Sequence, residues 1–393
     1  MSHKSVLEGI RVLDFSWVLA GPYATRLLAD FGVEVIKVQP LLPAESQDRF
    51  ARSYDNTWNR NKWGITLNLS IPEGVSLARK LVGICDVVVE NFTPRVMANW
   101  GLGYDSLRQI KPDIIMLSMS TMGQTGPWRN YTGFGLTVQA FSGITQLTSF
   151  PGKPPAGLGF AYADHVAGLF ASLALLGALE YRRKTGKGQY LDLSELEAMT
   201  ALLGGTIVDY TRDGNEPLPQ GNGSGQAAPH NVYRCRGGDR WCALAVFNDE
   251  EWQRCKHALG NPSWAEAERF ATAGARWQHR AELDRLVAQW TEKLDAEEVM
   301  KLMQQHGIAA GVMQNAADIV IDPQLNSRNF FVELDHPELG KTVSDAAPIK
   351  MSRSPADYWR AAPTSGQDNN YVYRELLGLS EPDMVRLRED GII

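Results

Sequence analysis

The sequence has no excess of positive charge. Its 39 lysines and arginines stand against 45 aspartates and glutamates, a formal net charge of −6. A nucleic-acid-binding face is normally basic, so that class is disfavoured, and no run of like charge marks an interaction tail. Long apolar runs are also missing. The stretch 167–180 is apolar but shorter than the ~20 residues a bilayer crossing needs, and the first seven residues lack the apolar core of a signal peptide. No membrane is therefore expected. Cysteine is scarce: Cys85, Cys235, Cys242 and Cys255 form no CxxC pair and no zinc spacing, and a reducing cytoplasm is the expected compartment. P-loop, GxSxG, HExxH and GxGxxG patterns are absent as well. The usual markers of phosphate loops, serine hydrolases, zinc proteases and dinucleotide enzymes are thus missing.

What is present is an alternation of short apolar runs with helical patterns. Residues 12–15 read as a strand, Gly21-Pro22 opens a helix with proline in its favoured first turn, and residues 33–38 read as a second strand. That is a βαβ unit, whose strands run parallel with a right-handed crossover. Residues 86–90, 114–118 and 190–193 read as further strands, and Ser70-Ile-Pro-Glu73 has the form of a capping box. The predicted class is α/β, with a Rossmann-like open parallel sheet in a large domain, residues 1–212. Ligand loops are expected at the carboxyl ends of the strands, at 16–21, 91–94 and 120–133. The tryptophan-rich stretch 58–63 reads as core or interface. Residues 213–229 are rich in Gly, Pro and Asn and read as a linker. Residues 230–315 change texture, with a hairpin signal around Gly237-Gly-Asp239, and predict a smaller α+β domain.

One acidic residue stands among small and apolar neighbours in Gly157-Leu-Gly-Phe-Ala-Tyr-Ala-Asp-His-Val-Ala-Gly168. It is Asp164, at the start of a helix expected to run from 165 to 181 and to stop at Gly186. Two roles compete. It is an N-cap, accepting backbone N–H bonds of the first turn, or it is a nucleophile held at a cleft by the helix dipole. His165 is not its partner by helix geometry, because adjacent residues on a helix point apart.

An ordered set of segments bears on that choice. Leu13-Asp-Phe-Ser16, Ala20-Gly-Pro22, Leu28-Ala-Asp-Phe-Gly-Val-Glu-Val-Ile-Lys-Val38, Leu67-Asn-Leu69, Asp86-Val-Val-Val-Glu-Asn-Phe92, Gly101-Leu-Gly-Tyr104, Gly123-Gln-Thr-Gly-Pro127, Asp164-x-x-x-Gly168 and Lys184-Thr-Gly-Lys-Gly-Gln189 resemble the family III coenzyme A-transferases, the formyl-CoA transferase and carnitine CoA-transferase group. Each segment alone is weak; the ordered set is specific and covers nearly the whole chain. The α-methylacyl-CoA racemases share most of it.

The resemblance implies a ring-shaped subunit, with a return linker at 316–345 and a C-terminal segment, 346–393, packing back on the large domain. Two such rings thread each other in an interlocked homodimer, or in a heterodimer with a homologous subunit. It implies that Asp164 attacks an acyl-CoA, such as succinyl-CoA, through mixed-anhydride and aspartyl-CoA thioester intermediates. The acceptor is a carboxylic acid. Phe134, Phe141, Phe150, Phe160 and Tyr162 suggest an aromatic one, as in the benzylsuccinate-type transferases, against a dicarboxylic one. CoA is the co-substrate, and no metal is implied. The CoA contacts carried over by motif position are Leu19, Ala20, Leu67, Asn68, Asn91, Phe92, Thr93, Arg95 and Asn99, with Thr132, Gly133 and Phe134 leading toward the acyl centre. Asn99 departs from a basic residue in the family pattern. Arg49, Arg52, Lys62 and Arg95 are candidate cations for the CoA phosphates. Gly223, Ser224, Gly225 and Gln226 resemble the mobile glycine loop of formyl-CoA transferase; a plain flexible linker explains them equally well. Two alternatives remain. A racemase needs the histidine of a Gly-His-Asp segment, and here Gly133-Phe134-Gly135 offers a phenylalanine, which cannot move a proton. A catalytically silent acyl-CoA-binding subunit is the other.

Overall fold

The computed structural model describes residues 5–41 and 49–393, with the side chains of 49–51 outside that description. Arg49, one of the candidate cations, is therefore not described. The chain divides into two compact units: Met1–Thr145, Gly157–Glu216 and Gln324–Ile393 form one, and Gln146–Ala156 with Pro217–Pro323 forms the other.

The first unit is built on six parallel strands: β1 (Arg11–Asp14), β2 (Glu34–Gln39), β3 (Lys62–Thr66), β4 (Val87–Glu90), β5 (Ile115–Ser120) and β6 (Tyr190–Ser194). Their order across the sheet is β3-β2-β1-β4-β5-β6, and β1 pairs with both β2 and β4 (Val12 opposite Val35 and Val87). The helices of this part are α1 (Ala20–Ala29), α2 (Arg49–Asn59), α3 (Pro72–Ile84), α4 (Val96–Asn99), α5 (Tyr104–Ile110), α6 (Gly135–Ser142), α7 (Ile144–Leu147), α8 (Tyr162–Thr185), α9 (Glu195–Thr200) and α10 (Gly204–Asp213).

The central strands are apolar at successive positions because each is buried on both faces. Val12, Val35, Val87 and Ile115 join one core layer with α1 and α8. Leu13, Ile36, Val88 and Met116 join the opposite layer with α3, α5 and the C-terminal residues Tyr373, Leu387 and Ile392. The period-two alternation of a strand thus feeds two cores from one sheet.

Two sequence expectations shift locally. Ser70 does not cap α3. Pro72 takes the first helical position, the extended Ile71 precedes it, and the Ser70 hydroxyl donates instead to Asn68 Oδ1 at 2.6 Å. Asp164 is not the N-cap of α8 either: Ala161 occupies that position and Asp164 is the third helical residue. The end of α8 is as expected, with Gly186 in the left-handed conformation at φ 72°. The helix is apolar and long enough to cross a membrane by length and composition alone, yet one side of it is core.

That side packs tightly on α1. Ala163, Ala167 and Ala171 are fully buried, and the Ser172 hydroxyl donates to Gly168 O at 2.9 Å. A Cβ at Gly168 would lie 2.8 Å from Tyr23 Cδ1 and 3.0 Å from the Ala20 carbonyl oxygen. Buried ions tie further segments to this layer. Arg26 makes a bidentate pair with Asp345 at 2.9 Å for each bond, and Arg60 donates to Asp30 at 2.9 and 2.6 Å. Asp345 lies in β11 (Gly340–Asp345), the antiparallel partner of β10 (Phe331–His336).

The second unit holds a three-stranded antiparallel sheet of β7 (His230–Arg234), β8 (Trp241–Ala245) and β9 (Ala309–Val312). Helices Asp249–Ala258, Arg280–Thr291 and Ala296–Gln305 cover a core around Trp252, Leu283 and Val299.

The contact at Gly168 yields a stability test. Gly168→Ala should destabilise the protein by about 1–3 kcal/mol, the usual cost of overpacking a close helix contact. A lowered urea midpoint with an unchanged slope is the expected result. An unchanged midpoint would show that α8 and α1 separate without cost.

Candidate functional site

The strand order reverses between β1 and β4, and in open α/β sheets the crevice at that point takes ligands. Asp14 ends β1 and is fully buried. It accepts bonds from Ser16 N (2.9 Å), Thr25 Oγ1 (2.6 Å) and Lys62 Nζ (3.1 Å). Burial alone would raise its carboxyl; Lys37, Lys62 and the two hydroxyls outweigh that and hold it well below the ordinary carboxylate range. Lys62 is therefore not a phosphate cation. It is completely buried, its amine also meets Pro22 O, Thr25 Oγ1 and Asn59 Oδ1, and burial pulls it down to about 7.

This cluster anchors the loop after β1. Val18 sits in the left-handed region at φ 63°, an outlier for a β-branched residue. The loop is clamped from β4's side: Asn91 Oδ1 accepts from Trp17 N, and Asn91 Nδ2 donates to Trp17 O, each at 2.9 Å. Asn91 was expected to meet CoA; its side chain instead holds the backbone of the neighbouring site loop.

Below this loop opens a cavity of about 790 Å³ within the first unit. Leu67, Asn68 and Phe92 line it, as do Trp17, Val18, Lys37, Arg52, Trp100, His336 and Ser365. Arg52 pairs with Glu338 at 3.2 Å. Of the other expected contacts, Leu19 and Ala20 bury their side chains in the core, leaving their backbone for any ligand. Thr93, Arg95 and Asn99 are exposed and lie outside the cavity lining. Arg95 makes no ion pair among the described residues. His336 and Ser365 carried no site signal in the sequence, because the chain's later segments bring them to this wall from far along the sequence.

Helix α2 has two working faces. Arg52, Asp55 and Asn59 line the cavity, whereas Tyr54 and Trp58 belong to an aromatic group beside Asp164. Trp58 meets His165 at 5.3 Å between ring centroids, Tyr23 meets it at 5.1 Å and Phe160 at 5.9 Å. Burial, and after it the charge of Asp164, raises the Tyr54 phenol. His165 Nδ1 lies 2.8 Å from Ala161 O.

Asp164 itself is closely approached by α6. Gly135, the first residue of α6, is so close that a Cβ there would lie 2.4 Å from Asp164 Oδ2 and 3.2 Å from Ala161. Thr132, Gly133 and the exposed Phe134 lead into that helix, and Thr137 Oγ1 accepts from Phe134 N at 2.9 Å. Asp164 Oδ2 is buried and has no hydrogen-bond partner. Burial raises its carboxyl above the ordinary range; its own backbone N–H and the His165 ring work in the other direction. Oδ2, buried and without a donor, is a more basic, more reactive oxygen than one pinned in a cap. The loop Gly223–Gln226 belongs to the second unit. Ser224 O accepts from Trp277 Nε1 at 3.0 Å, and Ser224 Oγ accepts from Gln226 N at 3.1 Å. Among the described residues no group of three His, Cys, Asp or Glu could hold a metal ion.

Comparison with known proteins bears on the family. The sequence model of CoA-transferase family III matches residues 7–369. The chain is 36% identical to succinyl-CoA–D-citramalate CoA-transferase of Chloroflexus aurantiacus, over 98% of each chain. It is 34% identical to the succinyl-CoA–L-malate CoA-transferase alpha subunit of the same organism, over 98% of this chain and 92% of that one. In structure it resembles a CAIB/BAIF family protein from Brucella suis, with TM-score 0.87 and 30% identity over 95% of this chain and 100% of the other.

Two buried carboxyls make the fold pH-sensitive. Burial pushes Glu90 up to about 7, and burial plus the Asp164 charge pushes Glu195 up to about 8. Both are raised from 4.5, so between those limits the folded state keeps protons the unfolded chain releases. Their contribution to stability is full below about pH 4.5 and is lost as pH rises toward about 8. Thermal scans should show Glu195→Gln gaining Tm over the parent as pH climbs through that window. An equal Tm difference at pH 5 and pH 8 would be the contrary result.

Proposed function

This chain belongs to CoA-transferase family III, and on that premise we propose that it moves CoA from succinyl-CoA to a dicarboxylic acid, with Asp164 as the covalent nucleophile. One observation carries the nucleophile: a carboxylate oxygen, Asp164 Oδ2, buried at the start of a helix and left without a donor. A capping or structural carboxylate would have its partners.

The steps follow from that oxygen. It attacks the thioester carbonyl, the C–S bond breaks, and CoA leaves as a thiolate while the acyl group and Asp164 form a mixed anhydride. The thiolate then attacks the aspartyl carbonyl, the anhydride C–O bond breaks, and the donor acid leaves as its carboxylate. The acceptor carboxylate repeats the two exchanges in reverse on the aspartyl thioester. Negative charge develops on carbonyl oxygens at each attack, and the unpaired N–H groups of the first turns of α6 and α8 are suited to receive it. Thioester energy survives only if water is kept out, and the close approach of Gly135 and Ala161 to Asp164 serves that need. The cavity under the Trp17 loop is the proposed seat of the CoA nucleotide end, with Leu67, Asn68 and Phe92 in its wall. From there the pantetheine arm would pass Pro22 and Tyr23 toward Asp164.

The two transferase relatives named above carry succinyl-CoA and a four- or five-carbon diacid in their names, which supports a dicarboxylic acceptor over an aromatic one. His165 and Tyr54 supply polar groups beside Asp164 for the second carboxylate. A partner subunit is also proposed. The outer face of α8 exposes Leu169, Leu173 and Leu176, and nearby Phe134, Leu136 and Phe160 are more than half exposed. Such an apolar face suits an obligate partner, either a second copy or a homologous subunit.

Asp164→Asn should lower kcat by on the order of 10⁴-fold or more, as loss of a nucleophile does. Incubation of the parent with succinyl-CoA and then hydroxylamine should leave a hydroxamate on the tryptic peptide that holds Asp164, visible by mass spectrometry. Absence of that adduct would remove Asp164 from the mechanism. In heavy water a branched acyl-CoA should gain no deuterium at its α-carbon; uptake would revive the racemase alternative.

A further inference from the structure

The hairpin of β10 and β11 supplies one wall of the cavity. Leu334 and His336 lie on its buried face, and Thr342 stands opposite Leu334, so the three side chains share that face. The face turns toward α2. Asn56 Nδ2 donates to Thr342 Oγ1 at 3.3 Å, and one turn earlier Arg52 pairs with Glu338 at 3.2 Å. Asp55 lies between those two contacts in the chain. His336 is 7% exposed, and it lines the cavity together with Asp55.

The His336 ring is fixed by its own turn. Nδ1 accepts from Glu338 N at 3.1 Å and from Leu339 N at 3.2 Å. A nitrogen that accepts carries no proton, so the neutral ring holds its proton on Nε2. Nε2 sits on the far edge of the ring and has no partner among the described residues. Burial holds the imidazole below its ordinary range, against Glu338 and Asp55, which favours that neutral form. Asp55 is likewise half used. One oxygen accepts from Asn59 Nδ2 at 2.8 Å; the other has no partner among the described residues. Asn59 Oδ1 and Pro22 O both accept from Lys62 Nζ, so this wall adjoins Pro22.

We propose that His336 and Asp55 bind the pantetheine arm of CoA: His336 Nε2–H donates to an amide carbonyl of the arm, and the free Asp55 oxygen accepts from an amide N–H. This rests on the reading of the cavity as the CoA seat. A neutral donor beside an acceptor matches a secondary amide, which offers both groups. The same wall suits the phosphates poorly. Asp55 and Glu338 are acids, and the cations here are already engaged, Arg52 by Glu338 and Lys37 by Asp14 at 3.6 Å. The place agrees as well, since Pro22 stands on the proposed route from the cavity to Asp164. An arm held by two directed bonds delivers its thioester at a fixed reach, which a weak carboxylate nucleophile needs.

Calorimetric titration tests this with two probes: CoA, and adenosine 3′,5′-bisphosphate, which keeps the nucleotide end and lacks the arm. His336→Asn retains an acceptor for the two turn amides and removes the distal N–H. It should weaken CoA binding about tenfold, the usual loss for one buried hydrogen bond, with the bisphosphate bound as in the parent. His336→Gln reaches far enough to return an N–H and should recover most of the CoA affinity. Asp55→Ala is an independent arm, with the same selective loss expected; the Tm of each variant checks folding. Unchanged CoA affinity in the folded variants overturns the proposal and leaves the transferase reading intact, and so does equal weakening of both probes. A parent that binds neither probe overturns the reading of the cavity and the proposal with it.

Discussion

The close seat of α8 on α1 is the contact from which the site follows. Ala163, Ala167, Gly168 and Ala171 let the helix backbone approach α1 without intervening side chains. A larger residue at 168 would lift the N-terminal turn, and Asp164 with it. Held down, the first turn meets Gly135 of α6, and one carboxylate oxygen loses its water without gaining a donor. Removing a carboxylate from water costs several kcal/mol, whereas a helix N-terminus returns only about 0.3–1 kcal/mol. The remainder is borne by the apolar layers on both faces of the sheet. The bare, buried oxygen of Asp164 is in this sense a product of packing.

The crevice below the Trp17 loop relies on the reverse arrangement, full satisfaction of polar groups. Asp14, Lys37, Lys62, Thr25 and Asn59 leave no partner unmet around the end of β1. That rigid base supports the strained Val18 and lets Asn91 clamp Trp17 from the next strand. Helix α2 joins the two regions, with one face on the cavity and the other on the aromatic group around His165. A ligand spanning both would touch a rigid polar cradle at one end and a dry carboxyl at the other.

Much of the sheet was legible in the sequence, because buried parallel strands announce themselves as short apolar runs such as Val87-Val-Val89. The end of α8 was legible for a similar local reason, a glycine at the left-handed stop. Strand β3 was not, since Lys62 and Trp63 break the apolar pattern; only the tertiary partners of Lys62 explain how a lysine is wholly buried there. Ser70 misled because proline shifted the helix start by one residue. Asp164 was found through the ordered set of motifs, yet its place as third helical residue, not cap, needed coordinates. Glu195 gave no signal at all: Ser194-Glu-Leu-Glu197 reads as an ordinary acidic helix start, and nothing local says that the first acid turns inward and the second outward.

The charge balance of the pocket then bears on which acids suit it. No lysine or arginine contributes to the shift at Asp164; burial dominates, with His165 the sole charged-capable neighbour opposing it. A pocket with a buried carboxylate and no fixed cation repels every anion that enters, the acyl-CoA's released acid as much as the acceptor. On the proposed mechanism that repulsion disappears once Asp164 is acylated, so an acceptor acid would be best accommodated on the covalent intermediate.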